Sequence, residues 1–313
     1  MAGFLKKHFP SARILFLGRT YTREVIAMSS FIDEFINYDE IEKLNRAEQV
    51  ILLKKFNADI FLHVFPQKKI ALLAARAAIP WRVGTTNRLY HWYSCNKLIR
   101  LSRKNSPFHE SQLNLKLLSF LIKDTSVPLE DVHLFYGLTK FPALNKEFSD
   151  LIDTSKFNLI LHPKSKGSAR EWGLANFAKL ISILPEDRFK IFISGTNQDG
   201  ALMKEFLKIN TKAIDITGKM SLQQFIAFIN HCDGLVAAST GPLHIAAALG
   251  KRAIGLFSAR RPIHPGRWMP IGKNASALVN DENCVKCTKK EECDCIEKIE
   301  PERILKLLMH ERV

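Results

Sequence analysis

Leu235-Val-Ala-Ala-Ser-Thr-Gly-Pro-Leu-His-Ile-Ala-Ala-Ala-Leu-Gly250 places a strand, a turn and a helix in one short stretch. The apolar run Leu235–Ala238 reads as a buried strand, Ser239-Thr240-Gly241 as a tight polar turn, and Pro242–Leu249 as an apolar helix closed by Gly250. Proline suits the first helical turn, where a missing N–H costs nothing. Ser239 or Thr240 can cap the helix. A helix start presents unpaired backbone N–H groups and a positive dipole end, which suits an anion such as a diphosphate. The same stretch also fits an ordinary strand-to-helix turn without a ligand.

Outward from this unit, the second half of the chain alternates. Strand-like runs are 158–162, 189–194, 212–216, 235–238 and 253–257, with helix-like runs between them. Leu174–Leu184 places Phe177, Leu180, Ile181 and Leu184 on one face. A weaker helical pattern covers 198–208, and Ser221-x-x-Gln224 opens another helix with a capping-box pattern. Repeated βα units imply a parallel sheet with helices on both faces. Ligands of such sheets sit outside the carboxyl ends of the strands. The turns there (163–170, 195–199, 217–219, 239–241 and 258–261) are rich in Gly, Ser, Thr and basic residues.

The first half alternates less regularly. Runs 13–18, 59–65 and 81–86 read as strands; runs 3–9, 21–30, 41–55, 67–78 and 109–122 read as helices. The polar segment 145–156 reads as a linker. It divides the chain into an N-terminal domain, 1–150, and a C-terminal domain, 151–313, ending in a Cys-rich loop at 284–295 and a terminal helix.

A chain of 313 residues fits about two domains. Hydrophobic content of 46% and a mean hydropathy of −0.06 suit a soluble core. No apolar run approaches the ~20 residues of a membrane span. The N-terminus lacks a secretory h-region, so a cytoplasmic protein is expected. The net charge is +15, and residues 51–109 hold eleven Lys/Arg against one acid, Asp59. This field favours an anionic partner: a phosphorylated substrate, an anionic membrane surface or nucleic acid. Nucleic acid is disfavoured because no RNP-type aromatic motif or zinc-finger helix spacing is present. Cys95 and Cys232 stand apart, while Cys284-x-x-Cys287-x5-Cys293-x-Cys295 forms a cluster. Four thiolates can close a structural zinc site, although Cys-x-Cys is an unusual half. Free thiols or a disulfide-bonded loop remain alternatives.

His162-Pro-Lys-Ser-Lys-Gly-Ser-Ala-Arg-Glu-Trp172, Ser194-Gly-Thr-x-x-Asp199, Ser239-Thr-Gly-Pro-Leu-His244 and His264-Pro-Gly-Arg-Trp268 resemble glycosyltransferase family 9, the ADP-heptose:lipopolysaccharide heptosyltransferases. Tyr90-His-Trp, Cys95-Asn-Lys and His109-Glu-x-Gln-Leu-Asn resemble a subgroup. The resemblance runs from Gly3 to about Leu308 and is stronger in the C-terminal half. It implies an α/β fold of the GT-B class, with two Rossmann-like, doubly wound parallel-sheet domains facing a central cleft. It implies inverting, metal-independent transfer of a heptose or related sugar from an ADP-sugar to a lipopolysaccharide-core or similar lipid-linked anionic acceptor. No cofactor is then required, and the enzyme is expected to touch the inner face of the cytoplasmic membrane through the basic region 76–104.

The resemblance also assigns roles. Arg170 stands where the family has a lysine on the donor phosphate and is the expected leaving-group stabiliser. Ser239, Thr240 and Gly241 are expected at the diphosphate, with His244 one turn further on. Lys164 and Ser165 are expected at phosphate or acceptor. Gly195, Thr196 and Asp199 line the next turn, with Asp199 for a ribose hydroxyl. The catalytic base departs from the pattern. The family's aspartate lies in a Gly-Asp loop after the first strand, which would precede Gly3, and neither Asp33 nor Asp39 sits in such a loop. Either the chain is a shortened fragment, or it is a variant that binds a nucleotide sugar without transferring it. Lack of a central first strand is expected to expose its neighbours' edges. A nucleotide-sugar epimerase is the remaining enzymatic alternative.

Overall fold

The computed structural model describes residues 1–103 and 106–309; Lys104, which closes the basic region 76–104, lies outside them. The chain divides into two compact units, Met1–Gly137 and Leu138–Val313, where a division at 150/151 was expected. The polar segment 145–156 lies inside the second unit. Gln224 helps to hold it there: its side chain accepts from the Asn145 N–H at 2.9 Å and donates to the Ala143 carbonyl at 3.0 Å. The expected box at Ser221 is therefore half formed. Ser221 accepts from the Gln224 N–H at 3.2 Å, but the glutamine side chain serves the neighbouring segment instead.

In the first unit, β1 (Leu15–Gly18) pairs with β2 (Glu34–Asn37), and β3 (Ile60–Leu62), β4 (Trp81–Thr85) and β5 (Lys97–Ile99) form a separate sheet. All pairings are parallel. Leu17, Ile36 and Phe61 pack on one apolar cluster that includes Tyr38, Ile41, Leu53, Leu73 and Ile79. The helix expected over 41–55 is two helices, Tyr38–Lys43 and Arg46–Lys55. Asn45 breaks it, because its side chain and that of Glu48 complete a capping box that starts a new helix. Strands β2 and β5 were not foreseen; three or four half-buried residues are too few to display an alternation.

The second unit holds β6 (Phe157–His162), β7 (Phe189–Ile193), β8 (Ala213–Asp215), β9 (Gly234–Ala238), β10 (Arg252–Phe257) and β11 (Ala275–Val279). Its sheet has the order β11-β10-β9-β6-β7-β8, parallel throughout. This is the doubly wound order with the first strand in the middle. β6 pairs with β7 on one side and β9 on the other, and Leu159, Ile160 and Leu161 are fully buried. Phe177, Leu180, Ile181 and Leu184 of the helical pattern expected over 174–184 are all buried. Trp172 packs edge-on against Phe177 at 4.9 Å, and the terminal helix Pro301–Met309 adds Ile304 and Leu308 to the same core. Strand β11 was also missed, since its five residues are only partly buried.

The two units differ in one respect. In the second, β6 stands between the second and fourth strands. In the first, the described strands form two separate sheets, β1–β2 and β3–β4–β5. Every residue of β1, β2 and β3 is only half-buried, whereas β9 is buried throughout. Backbone groups on a one-sided ladder open more readily than those in a sheet centre. Amides of β1 and β3 are expected to exchange with deuterium far faster than those of β6 and β9. Equal protection of the two sets would contradict this.

Candidate functional site

A parallel sheet brings the carboxyl ends of its strands to one edge, and ligands favour the point where the strand order reverses. That point lies between β6 and β9. The register sets His162 beside Ala237, so the turns after the two strands adjoin. The Ser168 hydroxyl donates to the Ser239 carbonyl at 3.3 Å and ties them together. The turn after β7 joins the same edge. The Ser194 N–H donates to the Leu161 carbonyl at 2.9 Å, and its hydroxyl lies 2.9 Å from His162 Nδ1.

After β9, the helix Gly241–Ala248 begins with Thr240 in the cap position, in extended conformation. The expected side-chain cap does not form, from Ser239 or Thr240. Thr240 is 6% exposed, yet its hydroxyl is buried without a hydrogen-bond partner. Gly241 is exposed, and a Cβ there would meet nothing within 4 Å. The helix start therefore carries an orphaned hydroxyl and unpaired N–H groups next to open space. The N–H of His244 reaches the Thr240 carbonyl at 3.4 Å, and burial lowers the pKa of its imidazole.

After β6, Glu171 organises the loop. Its carboxylate meets Lys164 Nζ at 2.5 Å and accepts from the Ser165 N–H at 2.9 Å. Ser165 is buried, and its hydroxyl donates to the Ala169 carbonyl at 2.7 Å. Lys164 and Ser165 thus shape the loop, with the lysine charge already paired. The turn passes through Lys166 and Gly167 at φ of 49° and 77°, a region glycine adopts freely. Arg170 Nη1 donates to the Cys293 carbonyl. Next to it, Trp172 is anchored by Nε1–H to the Ile299 carbonyl at 2.9 Å.

After β7, Thr196 and Asp199 form a capping box. One Asp199 oxygen accepts from the Thr196 N–H at 2.8 Å and from its hydroxyl at 2.7 Å. Burial pushes the Asp199 carboxyl up, but these bonds prevail and hold it below the usual range. Gly195 leaves no room for a side chain, because a Cβ would lie 2.9 Å from that of Asp199. The sequence-chosen residues thus share one sheet edge. The contacts sequence reasoning missed are Glu171, Ser168 and the His162–Ser194 pair. Glu171 lies inside the quoted motif, but nothing in the motif says which cations a carboxylate pairs with.

The four clustered cysteines bring their Sγ atoms within 4.8 Å of one another. In the first unit, Asp33 accepts from the Ile14 N–H at 2.7 Å and pairs with Lys6 at 2.9 Å. Asp39 accepts from the Thr20 N–H at 2.7 Å and pairs with Arg19 at 2.6 Å. Those bonds, led by the Thr20 N–H, hold Asp39 down to about 2. His63 and His91, neither foreseen, lie with ring centroids 5.3 Å apart and buried, unpartnered Nε2 atoms.

The family model described as glycosyltransferase family 9 (heptosyltransferase) matches residues 51–296. The chain belongs to this family. It is 22% identical to lipooligosaccharide heptosyltransferase 2 of Campylobacter jejuni, over 96% of this chain and 89% of that one. Its fold is similar to that of the family 9 glycosyltransferase of Veillonella parvula, with TM-score 0.78, 20% identity and coverage of 98% and 91%. It is also similar to an Escherichia coli heptosyltransferase solved with ADP, with TM-score 0.69, 14% identity and coverage of 98% and 93%. The fold is GT-B, and the chain is a heptosyltransferase-like glycosyltransferase by family.

His162 gives a pH test. Desolvation pushes its pKa from 6.5 down to about 4, against the upward pull of Asp199 and Glu171 and with a downward push from Lys166. The unfolded chain therefore binds a proton between about pH 6.5 and pH 4 that the folded chain does not. This contribution to stability is complete above pH 6.5 and is lost as pH falls through that window. Urea unfolding of wild type and His162→Gln is expected to show a shallower acid loss in the variant. Identical slopes would rule this out.

Proposed function

We propose that the protein transfers a heptose or related sugar from an ADP-sugar to a lipopolysaccharide-core or similar lipid-linked acceptor, with inversion. The observation that carries this reading is the open helix start at Gly241 beside the buried, unpartnered Thr240 hydroxyl. A hydroxyl left unbonded in the interior costs about 1–3 kcal/mol, and a phosphate oxygen in front of the helix would accept a hydrogen bond from it. Family membership and the ADP held by a structural relative supply the nucleotide.

The chemistry follows from charge. Departure of ADP leaves negative charge on the diphosphate. The helix start and Arg170, anchored through Nη1 at the Cys293 carbonyl, meet that charge as it develops, where electrostatic stabilisation acts most strongly. Arginine offers a planar fork to paired phosphate oxygens, where a lysine would act as a point charge. These fixed positive groups do the work that a divalent cation does elsewhere, so the transfer needs no metal at the reacting centre. His244, with its lowered pKa, lines the same helix as a neutral group. An inverting transfer also needs a base at the acceptor hydroxyl, and Asp33 and Asp39 are both engaged by cations. That engagement favours a second reading, a nucleotide-sugar binder that does not transfer.

Acceptor-dependent ADP release separates the two readings. Transfer predicts release only with acceptor present; binding alone predicts ADP affinity without release. Arg170→Glu is expected to abolish ADP binding with the fold intact. Thr240→Val is expected to weaken ADP binding without lowering the melting temperature, because an apolar group of the same shape removes the orphaned hydroxyl. Wild-type affinity in both variants would overturn the assignment.

Contact with membrane at the cytoplasmic face has separate support. Leu89, Trp92 and Tyr93 are 86%, 61% and 63% exposed beside exposed Arg88. Aromatic residues next to basic ones suit the headgroup layer of an anionic bilayer. Binding to vesicles of anionic lipid is expected to weaken with salt and with Trp92→Ala. Salt-insensitive binding would remove this part.

A further inference from the structure

The segment 284–295 has an interior made of sulfur. Its buried cluster consists of Cys284, Cys287 and Cys295, and among the described residues the partly buried apolar ones packed against it are Ala259 and Cys293. Its one helix, Val285–Lys289, has five residues, and Val285 is 63% exposed. No large apolar side chain holds this segment together, and burial of so little apolar area cannot offset the entropy of ordering the chain. Yet the segment is tied to the rest of the second unit: Arg170 donates to the Cys293 carbonyl and Arg260 to the Glu291 carbonyl at 3.1 Å. The residues just after it are held by Asn176 at the Glu297 carbonyl (2.7 Å) and Trp172 at the Ile299 carbonyl (2.9 Å).

We infer that Cys284, Cys287, Cys293 and Cys295 bind one zinc ion in a closed four-thiolate site, and that this site fixes Arg170 through the Cys293 carbonyl. All four Sγ atoms lie within 4.8 Å of one another. Zinc–sulfur bonds of about 2.3 Å set the edges of a tetrahedron at roughly 3.8 Å. The pairs Cys284–Cys293 and Cys287–Cys295, at 3.4 and 3.1 Å, need to open only by tenths of an ångström to reach it. They are far from the bond of about 2.05 Å that a disulfide requires. Cys284 and Cys287 come from the start of one short helix, and Cys293 and Cys295 from the irregular stretch and turn that follow it. The Cys295 N–H points at Cys293 Sγ at 3.4 Å, which stabilises a thiolate. Four protein ligands leave no position for substrate, so the ion is structural. Its binding free energy takes the place of the missing apolar core.

Metal analysis of the full chain, purified under reducing conditions without chelator, is expected to give about one zinc per chain. Cys287→Ser and Cys295→Ser are expected to lose zinc and melt at lower temperature. Should those variants fail to fold, the wild-type protein stripped by a chelator and refilled with cobalt provides the reading through the visible absorption of tetrahedral cobalt thiolate. Four freely reactive thiols, two disulfides by mass spectrometry, or iron in place of zinc would overturn the site. The link to Arg170 rests on the donor-site reading and is tested separately, by ADP titration. Stripping zinc is expected to raise the ADP Kd about tenfold, the scale of one charge-assisted contact. An unchanged Kd with zinc removed would overturn the link and leave the zinc site standing. Absence of ADP binding by the zinc-loaded protein would strike the donor-site reading and the link with it.

Discussion

The place of β6 at the centre of its sheet is the constraint on which the candidate site depends. β6 is the first strand of the second unit in sequence, and it pairs on both sides. That placement makes the order reverse between β6 and β9 and sets His162 beside Ala237. Turns far apart in sequence then share one edge. Polar contacts need only finish the alignment, and the bond from Ser168 to the Ser239 carbonyl does so across the switch point. Leu159, Ile160 and Leu161 are fully buried, so both faces of β6 are covered.

On that frame, the edge contains two kinds of polar group. Glu171, Ser165, Thr196 and Asp199 satisfy one another and fix loop shape. Thr240 is left unsatisfied inside the protein, and Arg170 holds only a backbone carbonyl. The satisfied groups give rigidity. The unsatisfied ones retain free energy that the ligand of the proposed donor site would recover. The cysteine segment extends the same logic outward, since its carbonyl positions the one arginine in the loop.

The two units show how much a central strand contributes. Both are built from parallel strands with helices over them, and the first packs Leu17, Ile36 and Phe61 on one cluster. Among the described residues its strands form two separate sheets, β1–β2 and β3–β4–β5, with β1, β2 and β3 half-buried. At its surface Asp33 pairs with Lys6 and Asp39 with Arg19.

The alternation of the second half, the helix face of Phe177, Leu180, Ile181 and Leu184, and the turn at Ser239–Gly241 were legible in the amino-acid order, because periodicity and turn chemistry are local. So was the family, carried by motifs that cluster on one sheet edge. The short strands β2, β5 and β11 were not, since their burial is partial and comes from neighbours. Residue types by themselves determined which groups carry charge or a hydroxyl near phosphate-friendly turns. Only the tertiary structure decided that Arg170 is already engaged, by the carbonyl of Cys293, 123 positions away. A hydrogen bond between residues separated by many positions depends on strand order and register, and no local pattern encodes those.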